Sequence, residues 1–217
     1  MTDLLWTLVA LQIAMGAFDT LFHHELTERL AWKASQKSEL RLHGVRNLIY
    51  AALFLMVGWT EPKGVLAVAI LILLAVEVVI TLTDFVEEDR TRRLPASGRV
   101  THTLLARNYG AILTLLAPLL LRWTAEPAGV VVVSHGLWSL MMTAAALGVL
   151  IFGLRDLAAS VRFDRLVQPD PAAMGRELPG RRRVLVTGAT GFIGRRLIGA
   201  LTGAGHGVID LGRDPKT

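Results

Sequence analysis

The 217-residue chain contains no cysteine. That excludes disulfides, thiolate nucleophiles and cysteine-ligated metals, and it leaves the redox state of the compartment unmarked. No lysine or arginine precedes Arg29. The first apolar run therefore lacks the basic start of a signal peptide, and no small-residue cleavage site follows it, so it reads as a retained membrane span. No Gly-Lys-Ser/Thr follows a strand-like run, which removes a Walker-type site. No Ser-His-Asp arrangement is evident, and no internal repeat. The basic loops lack the interleaved aromatics that single-stranded nucleic acid would need. No nucleic-acid partner is expected, and these loops suit anionic lipid headgroups better.

What is present is mostly apolar. Hydrophobic residues make up 53% of the chain and the mean hydropathy is +0.49. They gather in long runs, as in a membrane protein. Five spans are predicted, at Leu4–Phe22, Val45–Trp59, Val65–Phe85, Thr103–Trp123 and Val130–Leu154. The second is short, and its helix is expected to begin near Glu39, outside the hydrocarbon. Pro118 is a site for a kink in the fourth. The net charge is +5, and its placement alternates. Arg29, Lys33, Lys37 and Arg41 fall in one loop, Arg90, Arg92, Arg93 and Arg99 in another, and Arg155, Arg162 and Arg165 after the last span. The opposite loops hold only Lys63 and, at an edge, Arg122. By the positive-inside rule the N-terminus lies outside and the C-terminus in the cytoplasm, across a cell inner or plasma membrane. Trp6, Trp59 and Trp123 then mark the outer boundary. The expected fold is mainly α, a polytopic bundle of about five spans over residues 1–158. A polar, proline-containing linker follows at 159–181, then a truncated Rossmann-like βαβ segment at 182–217.

Several ionisable groups fall where lipid should be. Asp19 and His23 are four apart, as are Glu39 and His43, so each pair shares a helix face. Glu77, Asp84 and Glu88 share a face of the third span, and His102 opens the fourth. Glu77 lies about 10 Å deeper than Asp84 at helical rise, where an ionisable group is costly and marks a functional site by default. The helix directions bring these groups to one membrane side. Inward carboxylates and imidazoles on facing helices are the chemistry of metal-binding bundles, suited to Fe, Mn or Zn. The candidate ligands are Asp19, His23, His43, Glu77, Asp84, Glu88 and His102. No ferritin-like Glu-x-x-His and no clustered histidine boxes accompany them. The plain alternative makes His23, His24, Glu25, Glu28, Glu87 and Asp89 solvated interface charges. On that reading Glu77 pairs structurally with Arg107 or Arg46, or is a protonated acid. His135 reads as an isolated packing residue and His206 as a loop residue.

The chain closes on a strand-like run, Val184–Val186, a glycine turn, Thr187-Gly-Ala-Thr-Gly-Phe-Ile-Gly194, an amphipathic helix carrying Phe192, Ile193, Leu197 and Leu201, and a second strand-like run, Gly207–Leu211. Gly188 permits a tight turn, Gly191 lets backbone approach a pyrophosphate, and Gly194 lets helix pack on strand. "VLVTGATGFIG" resembles the start of NAD(P)-dependent epimerase/dehydratase proteins, within the extended or atypical short-chain dehydrogenase/reductase superfamily. The resemblance covers about the last 35 residues. It implies NADP or NAD held by Thr187, Gly188, Thr190, Gly191, Phe192, Ile193 and Gly194. Arg213 then favours the 2′-phosphate of NADP(H), against Asp210 and Asp214 nearby and against a plain solvated turn residue. The superfamily's Tyr-x-x-x-Lys pair is missing, since the only tyrosines are Tyr50 and Tyr109. Two strands do not make a stable open sheet, so the chain reads as a fragment of a longer protein or the product of a truncated reading frame.

Three functions stay open. The first is a membrane-tethered, cytoplasm-facing oxidoreductase or epimerase acting near the bilayer, with a lipid-like substrate suggested by location alone. The second is a metal-dependent redox domain in the bundle. The third is a non-enzymatic anchor or assembly module in which Glu77 supports helix packing.

Overall fold

The computed structural model describes residues 1–92, 94–165 and 181–211. It is mainly helical and divides into two compact units, Met1–Leu166 and Val167–Thr217. In the first unit, α1 (Asp3–Phe18) continues into a π-helical stretch, Asp19–Glu28. Two single 3₁₀ turns, Leu30–Trp32 and Ala34–Gln36, lead to α2 (Lys37–Trp59). Then come β1 (Thr60–Lys63), α3 (Val65–Thr91), α4 (Ala96–Thr124), β2 (Gly129–Val132) and α5 (Leu137–Arg165). Among the described residues, five helices are long and apolar enough to cross a membrane. The second helix starts at Lys37, ahead of its apolar stretch, as its sequence suggested. Pro118 stands inside α4 without ending it.

The fifth apolar run divides differently from its hydropathy profile. Val130 to Val132 are not helical; they form β2, antiparallel to β1, with Thr60 opposite Val132 and Lys63 opposite Gly129. Branching at Cβ makes consecutive valines good strand formers. Gly64 makes the turn out of β1 at φ +60°, where a Cβ would meet the Ala128 backbone at 2.7 Å. At the other end α5 runs through Arg165, into the stretch read as linker. It does so because Ala159 and Phe163 pack with Leu30, Ala31 and Leu40 in a small second core.

The main core draws on all five helices, with Leu5 and Val9, Leu53 and Val57, Ile70 and Leu74, Ile112 and Leu116, and Met142 converging. Glycine sets how close α2 and α5 come. A Cβ on Gly44 would lie 2.5 Å from Leu157 Cγ, and one on Gly153 would lie 2.9 Å from Asn47 Cβ and 3.1 Å from the Gly44 carbonyl. Small residues at such contacts are how helices associate where water supplies no drive. Polar clamps supplement the packing. Asn108 donates to the Leu8 carbonyl at 2.9 Å and to Gln12 at 2.8 Å, tying α4 to α1. Ser139 donates to the Gly58 carbonyl at 2.6 Å, and Trp59 to Thr143 at 2.8 Å. His135 packs against aromatic rings, its own lying 5.0 Å from that of Trp6, which also stacks on Trp138.

The second unit holds β3 (Arg183–Thr187), α6 (Phe192–Gly203) and β4 (Gly207–Leu211). The two strands pair in parallel, Arg183 opposite Gly207 and Thr187 opposite Leu211. A parallel pair needs a crossover connection, and α6 supplies it.

Candidate functional site

The bundle end opposite the β1–β2 ladder carries a buried polar cluster, and the π-helical stretch shapes it. A π turn repeats after about five residues rather than four. Asp19 therefore faces both His23, whose Nδ1 is 2.8 Å from Oδ1, and His24, whose Nε2 is 3.3 Å from Oδ2. The His24 contact is close but misaligned for a hydrogen bond, so this nitrogen has no hydrogen-bond partner among the described residues. From α4, His102 brings Nε2 to 3.2 Å from the same Asp19 Oδ2, while its Nδ1 lies 3.3 Å from Glu88. One ligand atom each from Asp19, His24 and His102 fall within 4.8 Å of one another.

Two further pairs adjoin this group. His43 lies 2.8 Å and Arg46 2.9 Å from Asp84 Oδ2, and the His43 ring stacks on His24 at 4.5 Å. Arg92 sits between Glu88 and Glu39, 2.9 Å from the latter. Burial works against its charge, but Glu39, Glu88 and Glu28 outweigh that and hold the guanidinium above its usual value. It stays a cation.

Of the ligands inferred from sequence, Asp19, His23 and His102 meet directly. Glu88 supports His102, and Asp84 with His43 forms the neighbouring pair. Glu77 goes elsewhere. One of its oxygens accepts from Tyr50 and, at 2.6 Å, from Thr81, and neither Arg46 nor Arg107 is a hydrogen-bond partner among the described contacts. His24 is the residue sequence reasoning passed over. Regular α-helical spacing puts it off the Asp19 face, and no residue type announces a π turn. Adjacent histidines four and five residues after an aspartate that closes an apolar run were the available signal.

A long cavity of about 280 Å³ leads from this cluster through the bundle. Its walls include Leu5, Val9, Leu53, Ile70, Leu116 and Met142, and its polar end includes Asp19, His24, Arg46, Asp84, His102 and Tyr109.

In the second unit the glycine turn has the geometry its sequence required. Gly188 adopts φ +73°. Its carbonyl accepts from the Gly191 amide at 2.9 Å. A Cβ on Gly194 would lie 2.1 Å from that carbonyl, so only glycine fits there. Thr187 ends β3, and the Thr190 carbonyl accepts from Arg195 at 2.8 Å. Phe192 and Ile193 open α6 and are exposed, 76% and 77%. Arg213 lies outside the described residues.

A family model described as the NAD dependent epimerase/dehydratase family matches residues 184–217. That is the C-terminal segment alone, and the family in general implies NAD(P) binding. No curated protein and no solved structure matches the chain.

Proposed function

We propose that the five long helices lie in a bilayer and that the C-terminal segment begins a nicotinamide-dinucleotide site of an oxidoreductase or epimerase-like protein on the cytoplasmic side. The observation that carries the second half is the Thr187–Gly194 turn. Gly188 takes the left-handed backbone, Gly194 admits no side chain, and the segment coincides with the family match. The first amides of α6 have no partner within the helix, which suits them to phosphate oxygens. When bound, the dinucleotide supplies hydride chemistry. This chain's part is to hold it, and Arg213 favours NADP(H) over NAD(H). The membrane reading is supported by apolar side chains facing outward, such as Ile72, Val79, Leu82 and Ile151. The test is titration of NADPH and NADH into the protein expressed from its native gene and purified in nanodiscs. Micromolar binding of NADPH, abolished by Gly194→Val, is expected. Absence of binding to either nucleotide would sink the reading.

One observation favours a second role for the bundle. Two imidazoles and one carboxylate, Asp19, His24 and His102, point donors at a shared space, one of them without a hydrogen-bond partner. Such a donor set suits Fe, Mn or Zn. Glu88 against the far nitrogen of His102 is the kind of support that fixes a ligating imidazole. His23 on the other oxygen of Asp19 orients the carboxylate in the same way. Elemental analysis of the purified protein decides this. About one equivalent of metal per chain, lost in His24→Gln and His102→Gln, is expected. Less than roughly a tenth of an equivalent overturns it.

A further inference from the structure

We propose that the central cavity holds an uncharged single-chain amphiphile, with its oxygen head at Arg46 and Tyr109 and its hydrocarbon tail among the five helices. The inference is independent of whether the C-terminal segment binds a dinucleotide.

The shape comes first. Cavity-lining positions run from Leu5 to Asp19 along the first helix. That is about 21 Å at the helical rise of 1.5 Å per residue. A volume of about 280 Å³ spread over that length is elongated, as a hydrocarbon chain is. Glycines widen it, because Gly16 and Gly148 both line the channel and a Cβ on either meets nothing within 4 Å. An apolar space left empty destabilises in proportion to its volume, and water finds no partners along such walls. A tail fills it without either cost.

The head follows from the groups left over at the polar end. Arg46 Nε is a buried donor with no hydrogen-bond partner among the described residues, and the Tyr109 hydroxyl interacts with Glu77 without a hydrogen bond of ordinary geometry, so it can still donate. Both line the channel. They call for an acceptor oxygen, which an amine head lacks. A carboxylate or phosphate head would find the positive groups there already taken. The cations and imidazoles there, Arg46, His24, His43 and His102, already face three lining carboxylates, Asp19, Asp84 and Asp156. Those carboxylates are themselves engaged, Asp19 by histidines, Asp84 by His43 and Arg46, and Asp156 by Arg155. What remains is a neutral carbonyl or hydroxyl on a long chain. Asp84 Oδ1, also without a partner among the described residues, is placed to accept from a hydroxyl.

The experiment is photolabelling with a diazirine-bearing hexadecanol analogue, applied to the full chain in nanodiscs, with adducts mapped by mass spectrometry. Adducts on Val9, Leu53, Ile112 and Met142 are expected. Hexadecanol or a prenylated quinone should compete, and which of them competes better distinguishes a hydroxyl from a carbonyl head. Arg46→Gln combined with Tyr109→Phe should reduce labelling about fivefold or more. Gly148→Phe, and separately Gly16→Leu from the opposite wall, should abolish it by filling the channel. Adducts confined to outward-facing Ile72, Val79 and Leu82 overturn the site. Competition by hexadecanoate as strong as that by hexadecanol overturns the assignment of an uncharged head. The adduct map on the unaltered chain decides the first point even where a variant fails to fold.

Discussion

Tyr50 and Thr81 hold one oxygen of Glu77, and its other oxygen has no partner among the described residues. Tyr50→Phe should therefore leave a buried acid with half its support. A loss of about 1–3 kcal/mol is expected, the usual cost of stranding a buried polar group. It is read as a lower melting temperature in detergent, and Thr81→Val should act in the same direction. An unchanged melting point in both variants would show that the acid relies on neither hydroxyl. At this scale the sequence was informative about which polar residues fall within apolar helices, and less so about whom they meet. Asp19, His23 and His102 could be placed together from helix direction and spacing. Glu77 could not be matched to Tyr50, because a tyrosine in an apolar run carries no charge to suggest a partner. His24 was hidden by a local change of helical repeat that no residue type encodes.

Among the elements, the α2–α5 contact is the one most dependent on small residues. Gly153→Ala would place a methyl group about where Asn47 Cβ and the Gly44 carbonyl already stand. Overpacking of that kind costs about 1–3 kcal/mol. Gly148→Ala, one turn and a residue earlier on the same helix, meets open space and replaces the poorer helix former. Thermal melting of the two variants should move in opposite directions, and equal shifts would deny the close contact its importance. The β1–β2 ladder offers a second case. Gly64→Val combines an unfavourable positive φ with a collision against the Ala128 backbone, and it should lower the melting point by more than Tyr50→Phe. Hydropathy reading found the helices but merged β2 into the fifth. Averaging over a long window cannot separate a valine strand from the start of an apolar helix, whereas β-branching over Val130 to Val133 carried the distinction.

For the whole molecule, the untested quantity is which side each loop faces. The absence of cysteine makes this easy to measure, because any introduced thiol is the only one. Glu126→Cys, between α4 and β2, should react with a membrane-impermeant maleimide on intact cells. Lys33→Cys, at the opposite end, should react only after the membrane is opened. The reverse pattern would invert the orientation and put the dinucleotide segment outside. The sequence suggests a two-part organisation through its change from apolar runs to a glycine turn. The length of α5 was not, because Ala159 and Phe163 owe their helical state to contacts with Leu30 and Leu40, distant in the chain.

The glycine contact between α2 and α5 also bears on how the protein is made. A chain emerges N-terminus first, and α5 is the last of the five long helices to be synthesised. The second helix must then wait for this close neighbour. During that wait Glu39, His43 and Arg46, which ride on α2, depend on partners from helices already present. Asp84 and Arg92 are those partners, both delivered with or just after α3. The charge pairs can form early and the glycine seam closes late. Biogenesis would thus proceed with its costliest groups sheltered before its tightest packing exists.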